Sequence, residues 1–310
     1  MNYFIVDALN LAYRSHLSKF ELKTVLGYPS GMFYGFLRTL ISLKKKYRGY
    51  NFQVIWDSRP EKKYELYPEY KSGRTSLPSS VKLQIPDIMD ALKYLGVEQY
   101  EKKGEEADDI IGILVEKYKK NKETNTIMIY SNDKDMLQLV ETGKVVVFKP
   151  KVGVSPEKFY DNEEVKKKFG VEPRNLVYYR AFDGDSSDSL KGVPRVPRKI
   201  FAEMINKYAS IDKIYDALDE FKLTDNRKKA IVENKDAVKL NYTLMKLNTS
   251  LDNIRGIEPE SNVENVKELM NKYEIKTIDP ENSIELFRSS LNIRYTDPNK
   301  TIKLESYSLF

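Results

Sequence analysis

The chain has no cysteine, one histidine (His16) and one tryptophan (Trp56). No disulfide framework and no thiolate metal site can therefore form, and a zinc site built from several histidines is excluded as well. No apolar run approaches the roughly 18 residues that cross a bilayer. The start, Met1 to Leu11, carries Asp7 and lacks a basic n-region and a cleavage site, so it reads as a buried strand rather than a signal peptide. These absences predict a cytoplasmic setting and no membrane partner. Chemistry must draw on carboxylates, lysine, arginine, tyrosine or a metal ion.

What is present is ordinary globular material. The 310 residues are 41% apolar and 32% charged, which suits one large domain or two intimate ones and argues against disorder. The net charge of +6 fits a nucleic-acid partner without establishing one.

Short β-branched or aromatic runs at Tyr3–Val6, Phe52–Trp56, Thr126–Tyr130 and Lys144–Phe148 read as strands. Between them, Met32–Lys46, Pro86–Leu95 and Ala107–Lys119 carry apolar residues at helical spacing. Strands alternating with helices predict an α/β fold with a mostly parallel central sheet. From about Val171 to Leu247 helical segments dominate, and no Pro/Gly/Ser linker precedes them. This predicts a helical second half packed on the sheet domain. Residues 250–310 combine a helix over Val263–Tyr273 with short extended pieces.

Acidic residues recur where the proposed strands end. Asp7 follows the first, Asp57 the second, and Asp133 and Asp135 the run ending at Tyr130, while Glu106, Asp108 and Asp109 open the helix after Val97–Tyr100. Ligands of open parallel sheets bind outside the carboxyl ends of the strands. Asp183, Asp185 and Asp188 form a further cluster at the start of the helical half. Singly, each has a plainer reading as a helix N-cap, a first-turn acid or a polar turn. Together they would repel: two unit charges ~4 Å apart cost about 4 kcal/mol at an effective dielectric near 20. Hard divalent cations with oxygen ligands remove that cost. Without His or Cys ligands, Mg²⁺ or Mn²⁺ is expected over Zn²⁺, and a pair of ions suits phosphodiester hydrolysis. Counting Asp7, Asp57, Glu106, Asp108, Asp109, Asp133, Asp135, Asp185 and Asp188 as the site leaves +15 on the rest of the chain. An acidic pocket on a basic body suits a nuclease, the body holding phosphates by counterion release.

After Asp57, Lys62, Lys63, Lys71 and Arg74 alternate with Tyr64, Tyr67 and Tyr70. Bases stack on aromatics while cations hold phosphates; the alternative is a solvated helix whose tyrosines pack inward. Lys71 and Arg74 stand close enough to Asp57 in sequence to reach the same pocket and stabilise charge on a scissile phosphate.

In order over roughly Met1 to Leu251, five segments resemble the flap endonuclease and 5′-3′ exonuclease family, including phage-type 5′ nucleases and the 5′-nuclease domain of bacterial DNA polymerase I. They are Val6–Arg14, Tyr70-Lys71-Ser72-Gly73-Arg74, Gly104–Gly112 with its Glu-Ala-Asp-Asp, Ser131–Leu139 with its Asp-Lys-Asp, and Gly184–Ser189 followed by Gly192-Val193. The resemblance implies a PIN-like core over 1–175 with a helical arch at about 58–95. A helix–three-turn–helix region over 176–250 and a C-terminal extension over 251–310 would follow. It also implies that Asp7, Asp57, Glu106 and Asp108 hold one metal ion, and Asp108, Asp133, Asp135 and Asp185 a second, with Asp109 and Asp188 acting through waters or from the outer shell. Lys71 and Arg74 would contact the scissile phosphate, and Tyr70 would support the strand near the cut. Lys63, Arg14 and Arg180 match basic family positions and would contact DNA. The implied substrate is DNA with 5′ flaps, nicks or free 5′ ends, RNA–DNA hybrids included. A monomer serving replication, and a freestanding phage-type layout without a polymerase module, are expected.

Two departures stand out. The family's hairpin usually reads Gly-Val-x-Gly-Ile-Gly-x-Lys; here Arg195 and Pro197 replace both later glycines. Proline fixes φ and removes an N–H, which undercuts backbone phosphate contacts and a potassium ion there. Arg195, Arg198 and Lys199 are expected to hold phosphate with side chains instead. Lys63 replaces an arginine common in phage members, giving a point charge in place of a fork. A PIN-type ribonuclease shares the acidic core but lacks the arch and the helical half. A haloacid-dehalogenase phosphatase needs an acid where Leu9 stands. A catalytically silent, structure-specific DNA-binding protein would be expected to have lost metal acids or Lys71 and Arg74.

Overall fold

A computed structural model describes residues 1–288 except 20, 75, 152 and 250–253. The described strands form one seven-stranded sheet in the order β6-β5-β4-β1-β2-β3-β7. The strands are β1 (Asn2–Asp7), β2 (Tyr50–Ile55), β3 (Glu98–Glu101), β4 (Thr126–Tyr130), β5 (Val145–Lys149), β6 (Lys158–Tyr160) and β7 (Arg255–Ile257). The five inner strands run parallel, and β6 and β7 close the two edges antiparallel. β1 is central, and the chain moves outward from it in both directions, to β2 and to β4. That makes its carboxyl end the topological switch point, where α/β sheets place their ligands.

Alternation along β1 sorts its side chains to two faces. Phe4 and Val6 face a cluster with the helix Gly31–Lys46, and Tyr3 and Ile5 face one with the helix Ala107–Lys120. Each such burial contributes about 1.5–3 kcal/mol, so the switch point sits on a rigid base. The second cluster continues into the helical half through Leu176, Phe182, Phe201 and Ile205. The two halves thus share a core, as the missing linker predicted.

The structure redraws two boundaries. The helix Gln84–Tyr94 was expected within the arch, yet Ile88, Ala91 and Leu92 are fully buried in the core, so this helix belongs to the core packing. Residues 251–310 were expected as a C-terminal extension, and the described ones pack on the sheet domain. There β7 pairs with β3, and the helices Val263–Lys272 and Pro280–Arg288 add Val266, Met270, Ile284 and Phe287 to the core. Residues 251–253 and 289–310 of that expected extension lie outside the described residues. Among the described residues no helix is long and apolar enough to cross a membrane.

Candidate active site

Asp7 ends β1 almost buried, its two carboxylate oxygens accepting from the Asn10 N–H (3.0 Å) and the Ser131 hydroxyl (3.0 Å). Burial, with the charges of Asp57 and Asp133 nearby, pushes its carboxyl up to about 7 despite those hydrogen bonds. Asp57, just beyond β2, accepts the Ala107 N–H at 2.8 Å and so caps the helix Ala107–Lys120. That helix carries Asp108 in its first turn, where a negative charge favours the dipole. Burial, then Asp133, Asp7 and Glu106, raise the Asp108 carboxyl well above the carboxylate range. Asp133 hangs from the loop after β4 and accepts the Asp135 N–H at 2.8 Å.

These four carboxylates and Glu106 line one cleft of about 910 Å³, together with Lys71, Arg74 and Arg14. Asp109, Asp135, Asp185 and Asp188 lie behind it, tied into the protein. Asp109 accepts the Asn248 N–H at 2.7 Å and pairs with Lys63 at 3.1 Å. Asp135 and Asp185 flank Arg180, at 3.0 and 2.5 Å. Burial and Asp133 push Asp135 up to about 7 against the pull of Arg180. Desolvation raises the half-buried Asp185 too, but the Ser187 hydroxyl and N–H and the Arg180 guanidinium hold it down at about 2. Asp188 pairs with Arg74, and burial still raises its carboxyl. Glu106 is 1% exposed; burial pushes it up, but ion pairs with Lys63 and Lys71 win and leave it below its ordinary value.

Several expected roles change with this geometry. Arg180 was expected to contact phosphate; it is 2% exposed and bound to two carboxylates. Lys63 likewise pairs inward, with Glu106 and Asp109. Tyr70 was expected to support the substrate strand, but it is 3% exposed, packs with Val177, Leu190 and Leu244, and donates to Glu106 at 3.2 Å. Arg14 does stand on the cleft wall, donating to the Tyr130 hydroxyl at 2.6 Å. Arg195, Arg198 and Lys199 lie exposed on the helical half, outside the cleft lining. Sequence reading gave no role to Tyr13, Asn132 and Lys151 on the cleft wall; Tyr13 and Asn132 lie inside two of the segments singled out above, and nothing in its local sequence marks Lys151.

The donor set suits a hard divalent cation, since the acids of the cleft offer only oxygen. Asp108 makes the point sharpest: its side chain takes part in no hydrogen bond or ion pair among the described residues, and the pull of Lys71 is outweighed by burial and by Asp133, Asp7 and Glu106. Among those residues no three acids close around one point as a finished cage. The chain's own cations, Lys63 and Lys71 on Glu106 and Arg74 on Asp188, are interleaved with them instead.

A family model for the 5′-3′ exonuclease N-terminal resolvase-like domain matches residues 2–170, and one for the 5′-3′ exonuclease C-terminal SAM fold matches residues 171–264. The chain is 37% identical over 250 residues to a 5′-3′ exonuclease of Aquifex aeolicus, covering 80% of this chain and 82% of that protein. It is 31% identical over 289 residues to DNA polymerase I of Caldicellulosiruptor bescii, covering 90% of this chain and 33% of that one. In structure it is similar to T5 5′-exonuclease with bound zinc, with a TM-score of 0.65 at 18% identity over 93% of this chain and 100% of that one. The catalytic core of Rad2 in complex with DNA gives 0.58 at 15% identity, covering 92% and 91%. At such identities the structural likeness speaks for the fold, while the two family models between them span most of the chain. The chain belongs to the 5′-3′ exonuclease family.

Proposed function

We propose that this chain hydrolyses phosphodiester bonds near the 5′ ends or junctions of DNA, using two Mg²⁺ ions for which Mn²⁺ can substitute. One observation carries the reading: five carboxylates from four chain segments line a single cleft, with Lys71 and Arg74 on its wall. When bound, such ions activate water and neutralise the leaving oxygen. Asp108 and Asp133, with Asp7 and Asp57 beside them, are the residues that would hold them. Lys71 and Arg74 each pair with one carboxylate at the cleft; exchanging it for a phosphate oxygen would place positive charge where the transition state gains negative charge. Arg14 would hold a neighbouring phosphate. On the helical half, Arg195, Arg198 and Lys199 would grip duplex backbone. Pro197 immediately precedes the helix Arg198–Tyr208 and offers it no side-chain cap, and this crowding of cations gives no support to a potassium site there. We further propose a cytoplasmic monomer acting on flaps, nicks or primers, including RNA–DNA hybrids, during replication.

The test is cleavage of a 5′-labelled flap duplex with Mg²⁺ by the intact protein, by Asp133→Asn and in EDTA. Cutting near the junction that vanishes in both controls supports the reading. Tight flap binding without cutting by the intact protein replaces it with a silent DNA-binding role.

A further inference from the structure

The four cations among the site's carboxylates fall into two kinds. Lys71 and Arg74 line the cleft, and each is paired with one carboxylate, Glu106 and Asp188 respectively. Lys63 and Arg180 do not line it, and each is held by two carboxylates, those of Lys63 from one helix start and those of Arg180 from separate segments. Lys63 sits between Glu106 and Asp109. Arg180 spans Asp135, on the sheet side, and Asp185, in the helical half, at 3.0 and 2.5 Å with side-chain exposure of 2%. A cation so anchored cannot turn to a phosphate without leaving a carboxylate of low exposure without its ion pair, Asp109 (2%) for Lys63, Asp135 (13%) and Asp185 (16%) for Arg180, and a desolvated charge without its partner is destabilising.

We infer that Lys63 and Arg180 are positioning residues: fixed internal counter-ions that hold the carboxylates apart and set how strongly the site draws divalent ions. Lys71 and Arg74 are the exchangeable cations. The inference deepens the two-ion reading and rests on it. It reassigns two basic positions from DNA contact to site construction. It also gives each a distinct geometry: one edge of the Arg180 guanidinium bridges two elements, which an ammonium cannot reproduce.

The experiment compares intact protein with Lys63→Met, Arg180→Met, Arg180→Lys and the charge-balanced pair Lys63→Met/Asp109→Asn. Three quantities are read: flap-duplex Kd in EDTA across a salt series, Mn²⁺ binding to the DNA-free protein by calorimetry, and kcat against KM with Mg²⁺. In both Met variants the flap Kd stays within about twofold and its salt slope is unchanged, because no phosphate contact is lost. Mn²⁺ binds about tenfold more tightly, since the site gains a negative charge, while kcat falls about 100-fold with KM little changed. The balanced pair and Arg180→Lys return Mn²⁺ affinity to near that of the intact protein, and Arg180→Lys still loses kcat. If the Met variants fail to fold, these two carry the same comparison. A flap Kd weakened about tenfold, with the salt slope reduced by about one and Mn²⁺ binding unchanged, marks a phosphate contact and overturns the assignment. Intact protein that binds no Mn²⁺ instead overturns the two-ion reading beneath it.

Discussion

The cleft and the hairpin at 192–199 are both built from charge, and they handle it in opposite ways. In and behind the cleft opposite charges are interleaved, with Asp7, Glu106, Asp109, Arg180 and Asp188 buried, and desolvation raises Asp7 to about 7 while Ser187 and Arg180 hold Asp185 down at about 2. At the hairpin Arg195, Arg198 and Lys199 are exposed, and the ion pair found there, Arg198 with Asp183, leaves the arginine side chain 73% exposed. An exposed pair of this kind contributes about 0–1 kcal/mol. Buried charge is costly and therefore held in fixed geometry, which suits chemistry. Exposed charge is cheap, adaptable and screened by salt, which suits grip.

The contrast is broken most severely in the cleft. Lys71→Ala is expected to lower kcat by about 10²–10³-fold, the usual cost of one transition-state charge donor, with flap Kd little changed; single-turnover rates and binding isotherms check it. A comparable loss of Kd would make Lys71 a gripping residue like those of the hairpin.

The next effect is on pH. Asp7 and Asp135 are raised to about 7 in the ion-free fold, so between about 4 and 7 the folded chain binds more protons than the unfolded one. Stability in EDTA therefore falls as pH rises through that window. Saturating Mg²⁺ displaces those protons, so the stabilisation it brings grows with pH and the fall is offset. Thermal melts from pH 5 to 8, with and without Mg²⁺, read both. An ion-free Tm that rises steadily over this range would contradict the placement of these acids.

The hairpin gives the smallest effects, and there two of them have opposite sign. Arg195 holds φ at +59°, a left-handed conformation that costs a non-glycine residue about 1–2 kcal/mol. Arg195→Gly should therefore raise stability by about 1 kcal/mol while weakening duplex binding and lowering the salt slope by about one. Denaturant melts and binding across salt separate the two. A slope unchanged in Arg195→Ala and Arg198→Ala would remove these side chains from the DNA contact.

The same contrast explains what the sequence made legible. The cleft acids follow strands or open a helix, so position alone announced them, and their motifs placed them in a family. Hairpin residues are surface residues, and their exposure was readable from charge and proline. The partners of Lys63, Arg180 and Tyr70 were not readable. Each is fixed by a contact 36 to 46 residues away in sequence, or by two halves of the chain meeting (Glu106 for Tyr70, Asp135 for Arg180). The C-terminal return was hidden for another reason. β7 is three residues long, too short for a period-2 pattern to declare itself, and only its pairing with β3 gives it meaning.

The most direct test of the central claim is the Mg²⁺ dependence of single-turnover flap cleavage by the intact protein and by Asp108→Asn. The account predicts cutting near the junction that needs Mg²⁺, rises more steeply than first order in it, and is lost in Asp108→Asn at every concentration. Equal cutting by the two proteins, or cutting that persists in EDTA, would contradict it.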